Sequence, residues 1–456
     1  MEKYILALEI GSSKVKGAVG VIDDDGVLTV VAIEEEKLVD SVRHGLIFNV
    51  ETVSNRINSI IHKLENRVSP HKARSVYVAV GGRSFMSSPR EIERQFPDER
   101  EIRGELIEQL RREALGTAMS DREVMEVVDG EFYIDHRQAH NPVGFFGRNI
   151  RASFNLITCR QQLKRNITRA VSERLNLKIN GLFVRQISQG NLVLSNDERL
   201  RGCMLVDLGA ETTTVSIYKN GAMRYMATIP LGSRNITRDI MSLNYLEERA
   251  DEVKIIGGNA MPQPAGAKPI IDGIDFTDIN YYVNARATEI IVNVHEQVKY
   301  AGLSCSDLPG GIVMVGGGSK LRGLYELMQK ITKMKVRGGI PSATVRIANG
   351  SIPTFDSIDV ISILASASKL SEPADCMPAV RPAVVNPQPV SPSVPADKPE
   401  PEPEPELKSS ILDDTDSELD GLEIKPPRRK VGAGLFNRIG SKLAGWMREE
   451  DDDDDL

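Results

Sequence analysis

Two short acidic turns in this chain carry residues that could do chemistry. The first runs Glu9-Ile10-Gly11-Ser12-Ser13-Lys14, the second Asp207-Leu208-Gly209-Ala210-Glu211-Thr212-Thr213. Each offers a carboxylate, a glycine two positions later, and then consecutive hydroxyls. That set suits a metal-bound polyphosphate. Glu9 and Asp207 could hold a hydrated magnesium ion from opposite sides, because that ion keeps several waters and uses only one or two carboxylates. Gly11 and Gly209 let backbone approach closely and offer N–H groups to phosphate oxygens. Ser12, Ser13, Thr212 and Thr213 add donors, and Lys14 adds a charge. A third loop, Gly316-Gly317-Gly318-Ser319, would let a nucleoside pack against bare backbone, and the helix start after it favours anions. Singly, each loop has a plain structural explanation: a tight turn for the glycines, turn chemistry for Ser12 and Ser13, a solvated edge carboxylate for Glu9. Together, in this order, the loops carry more than any one of them.

The elements that must position these turns repeat. Residues 203–218 read as a buried strand, the acidic turn, and a second strand returning beside the first; residues 6–19 have the same order. Each copy then meets a hairpin turn, Asp25-Gly26 or Asn220-Gly221. Such self-similarity predicts two related domains, each offering one acidic hairpin. Around them, Val53, Ile57, Ile60, Ile61 and Leu64 mark one helical face, and residues 75–80 form an apolar strand ending at Gly81-Gly82. Residues 83–158 read as a separate unit. Its helix carries Ile102, Leu106, Leu110 and Ala114, two strands pair around Asp129-Gly130, and an alternating strand follows with Ile150, Ala152, Phe154 and Leu156. The unit is either a structural elaboration or a self-assembly or partner surface. Helices are expected at 160–175, 186–195, 236–243, 246–254, 279–300, from Leu321, and at 358–370; residues 257–273 read as a loop.

Composition excludes several classes. The chain has 456 residues, 41% hydrophobic and 27% charged, with a net charge of -7. It has no global basic footprint for nucleic acid. Its 4 cysteines are scattered without CxxC pairing and its 6 histidines lack HxxxH spacing, so neither a zinc site nor a disulfide framework is expected. Met1-Glu2-Lys3 leads straight into a strand with no signal peptide, and no run of about 18 apolar residues is long enough to span a membrane.

Beyond residue 370 the pattern changes. Residues 371–430 are rich in proline and acid and lack aromatics, so an extended tether is expected, with a reach on the order of 40 Å. Residues 431–448 then read as an amphipathic helix: Leu435, Phe436, Ile439, Leu443, Trp446 and Met447 share one third of the wheel, with Lys442 and other polar residues on the rest. The only tryptophan of the chain lies here, where its ring suits a membrane interface. Docking on the protein's own core is disfavoured because the tether fixes no landing site, and a partner groove is the remaining alternative. Residues 449–456 form an acidic tail.

These loops resemble those of the actin-like ATPase superfamily. Residues 9–14 match its first phosphate loop, 207–213 its second, 315–319 its adenosine loop, and Asp251 and Lys254 the acid-x-x-Lys pair that reaches the nucleoside. Within it, the unit at 83–158 with its Asn141-Pro142-Val143-Gly144 turn, the following Leu156-Ile157-Thr158-Cys159, and the tail resemble the FtsA family of bacterial cell-division proteins. The resemblance implies an α/β, actin-like fold: two duplicated domains around a nucleotide cleft, an inserted α+β subdomain in the first domain, and a disordered C-terminal tether ending in the amphipathic helix. The boundaries would be 1–82 and 159–200 for the first domain, 83–158 for the insert and 201–370 for the second domain. It implies binding of ATP and magnesium, with hydrolysis slow or absent. The implied partners are the C-terminal peptide of FtsZ, engaged around residues 233–286, further copies of the chain, other division proteins, and anionic membrane at the cytoplasmic face of the septum. A PilM-like scaffold and a small-molecule kinase of the same superfamily are the alternatives. Two departures stand out: Glu9 where the superfamily usually has Asp, and Ala210-Glu211 where glycines are usual. Glu211 would bring a third carboxylate toward the phosphates, which would weaken ATP affinity or alter metal binding.

Overall fold

The computed structural model describes residues 2–139, 141–264, 266–342, 344–348 and 355–380. The expected helix with Leu435, Phe436, Ile439, Lys442, Leu443, Trp446 and Met447 lies outside the described residues, as does most of the expected tether.

The N-terminal hairpin sits at the centre of a six-stranded sheet. Lys3–Ile10 pairs antiparallel with Lys14–Ile22, Glu9 opposite Lys16, and parallel with Ser75–Val80, which in turn is parallel to Lys178–Val184. Leu28–Lys37 and Val345–Ile347 extend the other side. Parallel neighbours need crossovers and covered faces, which is why the central strands are almost continuously apolar. The helix Val50–Arg67 covers one face and Ile358–Ser368 the other. Glycines permit both close approaches: a Cβ on Gly17 would lie 2.5 Å from Ile60, and one on Gly20 would lie 3.3 Å from Leu364.

The second acidic hairpin, Cys203–Leu208 with Thr213–Lys219, lies inside a nine-stranded sheet, two strands in from one edge. The period of two along Cys203–Leu208 serves two cores at once. Cys203 and Leu205 join the core of the first domain, while Met204, Val206 and Leu208 pack with the long helix Thr277–Tyr300. Asp207 shares the parity of Cys203 and Leu205, and so it faces the first domain. The same sheet continues into the inserted unit through a bridge between Ala227 and Met86. There the strands Met86–Glu101, Phe146–Arg160, Arg122–Ile134 and Arg137–Ala139 pack against the helix Gly104–Leu115. Phe132 and Phe154 meet edge to face in its core, at 6.1 Å.

Several expectations are corrected. The turn in the insert falls at Asp135-His136, both with positive φ, rather than at Asp129-Gly130. Asp129 and Gly130 lie within one strand, where the register slips opposite Ser153. A Cβ on Gly130 would meet the Ser153 carbonyl at 2.7 Å, so this glycine marks a bulge rather than a hairpin. Met86–Glu101 was not anticipated as a strand, because most of its side chains are exposed or half-buried and no alternation shows.

The second domain does not extend to 370. Ile358–Ser368 belongs to the core of the first domain, packed with Leu6, Leu8 and Val19. Folded chain also continues past 370, where the tether was expected to begin. The Cys376 N–H donates to the Tyr4 carbonyl at 2.7 Å, its carbonyl accepts from Arg74 N–H at 2.9 Å, and Cys376 and Met377 are wholly buried. Prolines at 373 and 378 disguise this segment as linker; its backbone bonds to strand ends rather than to a helix or a complete ladder. A chain ending at residue 370 is therefore expected to lose on the order of 4 kcal/mol of stability against one ending at 380. Urea denaturation of the two truncations measures this, and equal midpoints would show that the segment contributes nothing.

Candidate functional site

The two acidic turns have the same local geometry. The Gly11 N–H donates to the Lys14 carbonyl at 2.9 Å, and the Gly209 N–H to the Thr212 carbonyl at 2.9 Å. A Cβ on either glycine would sit 3.1 Å from that carbonyl. Each glycine N–H thus closes its own turn and is not free for a phosphate, contrary to expectation. The N–H groups of Ser12 and Ser13 have no acceptor among the described residues and are the donors left in the first turn.

The turns face each other across a cleft of about 1400 Å³. Its wall includes Glu9, Gly11, Ser12, Ser13, Lys14, Asp207, Gly209, Thr212, Asp251, Lys254, Gly316, Gly317 and Gly318. Thr213 and Ser319 do not reach it. Thr213 is fully buried and its hydroxyl donates to the Leu231 carbonyl at 2.7 Å, and Ser319 Oγ donates to the Gly316 carbonyl at 2.7 Å. Lys14 is turned to Glu35, with Nζ 2.5 Å from Oε1. On the far wall, Lys254 Nζ contacts Asp251 Oδ1 at 2.5 Å and Thr237 Oγ1 at 2.8 Å. Burial works against ionisation of Asp251, but the Lys254 hydrogen bond and charge outweigh it and hold the carboxyl below its usual range.

Between Glu9 and Asp207 lies a residue that the motifs did not single out. Arg185 opens the helix Arg185–Val193, directly after the strand Lys178–Val184. Its Nη1 donates to Glu9 Oε1 at 2.5 Å, and its Nε lies 3.1 Å from Asp207 Oδ2. The second contact is an ion pair without a directed hydrogen bond, since Nε has no partner in line. Gln186 Nε2 donates to the same Asp207 oxygen at 3.3 Å. Burial pushes the Glu9 carboxyl up to about 7, against the pull of Arg185, with Asp359 reinforcing the rise. Burial disfavours the Arg185 charge too, but Asp207 and Glu9 overcome it and raise its pKa above the ordinary value. Lys16 lies beside this group, 2.8 Å from Asp359. A hydrated magnesium ion spanning Glu9 and Asp207 does not fit this arrangement, because each carboxylate already faces the guanidinium. One sequence signal was available: a cation in the first turn of a helix opposes the helix dipole, so an arginine there demands carboxylates nearby.

Glu211 also departs from expectation. It lines the cleft, but its carboxylate is engaged by the protein itself: Oε2 accepts the His44 N–H at 2.7 Å and Oε1 accepts from Arg234 Nη1 at 2.8 Å. His44 belongs to the first domain and holds a left-handed φ of 50°. Next to it, a Cβ on Gly45 would meet the Gly81 carbonyl at 2.4 Å, and the Gly45 N–H donates to Ser12 Oγ at 3.3 Å. Glu211 therefore ties the second acidic turn to the first domain, at the edge of the cleft.

The family models and the curated relatives point to one family. The model described as "Cell division protein FtsA" matches residues 204–355, and that described as "SHS2 domain inserted in FTSA" matches residues 82–158. The cell division protein FtsA of Porphyromonas gingivalis is 32% identical, covering 74% of this chain and 73% of that protein. FtsA of Pseudomonas aeruginosa is 29% identical, over 74% of this chain and 83% of its own length. Among solved structures, the PilM-PilN type IV pilus biogenesis complex matches with a TM-score of 0.58 at 18% identity, covering 80% of this chain and 99% of that one. That likeness concerns the fold.

Proposed function

Because this chain belongs to the FtsA family of cell-division proteins, with its actin-like α/β fold and inserted domain, we propose that it binds ATP in the cleft and tethers FtsZ polymers to the cytoplasmic membrane. The observation that carries the nucleotide reading is the pair of duplicated turns facing one cleft. The glycine loop at 316–318 and the Asp251–Lys254 pair stand on the same wall, where a nucleoside would lie. ATP acts on domain closure and self-assembly more than as a fuel, and its hydrolysis is slow. Among the described residues no helix is long and apolar enough to cross a membrane, which leaves membrane attachment to the amphipathic pattern at 431–448. Polymers of the chain would then recruit later division proteins to the septum.

The FtsZ contact is assigned to the second domain, around residues 233–286. In a pull-down or polarisation assay, the C-terminal peptide of FtsZ is expected to bind with a dissociation constant on the order of 10 µM, ordinary for a short segment that orders on binding. Absence of binding at about ten times that concentration would remove the tethering role.

A further inference from the structure

We propose that Arg185 is the built-in cation of this cleft, standing where a divalent metal would otherwise bridge Glu9 and Asp207, so that the chain takes a nucleoside triphosphate without magnesium. The proposal rests on the nucleotide reading above and concerns how the charge of that site is balanced.

The guanidinium has a prepared seat. It lies over Gly81, where an added Cβ would come within 3.0 Å of Nη2 and 3.1 Å of Cζ. Glu9 and Asp207 are both 4% exposed, so little water solvates their charge and a buried cation must balance it. Arg185 supplies it covalently, at full occupancy, with one oxygen of each carboxylate engaged. A metal entering between the two acids would have to displace the guanidinium and leave it buried without partners, an unfavourable exchange. Arginine also suits the ligand. It stays charged at any working pH, and its planar fork offers donors that match phosphate oxygens.

The surroundings carry unused hydrogen-bonding capacity. Arg185 Nε, Gln186 Oε1 and Gln189 Oε1 are buried without a hydrogen-bond partner, and Arg185 and Gln189 both line the cleft. Gln186 and Gln189 are each only 1% exposed. Buried polar atoms left in this state are satisfied when a polar ligand or its water arrives. Arg185 is therefore a binding residue for the phosphates as well as the partner of the two acids.

The test is a titration of the full chain with a fluorescent ATP analogue, once with magnesium and once with EDTA. The two dissociation constants are expected to agree within about threefold. Arg185→Gln is expected to weaken binding in EDTA by about tenfold or more, the loss of a charge-assisted contact, and to recover part of it when magnesium is added, because both carboxylates are then free. Wild-type binding that needs magnesium would overturn the proposal while leaving the nucleotide reading intact. Absence of binding under both conditions would overturn the nucleotide reading itself. The wild-type comparison decides even if the variant fails to fold.

Discussion

A chain truncated before Gly434 is expected to leave anionic vesicles almost completely, while the full chain sediments with them. As a helix, residues 435–447 would place Leu435, Phe436, Ile439, Leu443, Trp446 and Met447 on one stripe, enough for reversible adsorption that scales with the apolar area buried. Lys425, Arg428, Arg429 and Lys430 each add about 1 kcal/mol of attraction near an anionic surface. The aspartates at 451–455 oppose this and keep the last residues off the bilayer. A single tail should exchange on and off. A polymer holding many tails should stay, since every further tail binds at high effective concentration and avidity can exceed a single affinity by about 100- to 10,000-fold. Membrane residence would therefore report assembly. Charge reversal at Phe436 and Trp446 should release the protein as the truncation does, and raised salt should weaken binding without abolishing it. Continued sedimentation of the truncated chain would place the anchor elsewhere.

The second large effect is expected at the glycine loop. Gly316→Val should weaken nucleotide binding by at least about 100-fold, a loss of roughly 3 kcal/mol, and lower the melting temperature. Gly316 has φ 87° and ψ 157°, a region that essentially only glycine occupies, and forcing another residue there costs about 1–3 kcal/mol. A Cβ would also lie 2.5 Å from Asp207 Oδ1 and 2.5 Å from the Leu208 carbonyl. Neither can yield easily. Asp207 is ion-paired to Arg185, and its strand is tied to the neighbouring one through the Asp207–Val315 pairing. The substitution must therefore push the carboxylate off the guanidinium or part the strands beneath the cleft. Gly317→Ala is the matched control for the fold: nothing lies within 4 Å of its added Cβ, and it should melt as the wild type does. Nucleotide titration and thermal melts of both variants, with Gly316→Ala as a milder step, measure this. Equal affinities for Gly316→Val and wild type would show that the loop does not shape the site.

What the sequence determined by itself was whatever depends on near neighbours. The two acidic hairpins were legible because alternation, a glycine and a turn are local properties. The Gly11–Lys14 and Gly209–Thr212 bonds, identical at 2.9 Å, are the duplicated turns seen in three dimensions. The helix at Val50–Arg67 and the Ile102-Leu106-Leu110-Ala114 face were legible for the same reason: periodicity states which side must be buried. What only the tertiary structure decided were contacts between residues far apart in the chain. Arg185 meets Glu9 across 176 positions, and Glu211 meets His44 across 167. An arginine at a helix start signals that carboxylates lie near but not which ones, and a lone glutamate signals nothing, so spacing cannot reveal that one neutralises the expected metal site and the other joins the domains. The segment around Cys376 was read as tether because its prolines are local, while the strand ends that bury it lie far earlier in the chain, at Tyr4 and Arg74. Local sterics and patterning decide the elements. Which charges face each other, and which carbonyls a stray segment covers, follows only once the sheets are packed.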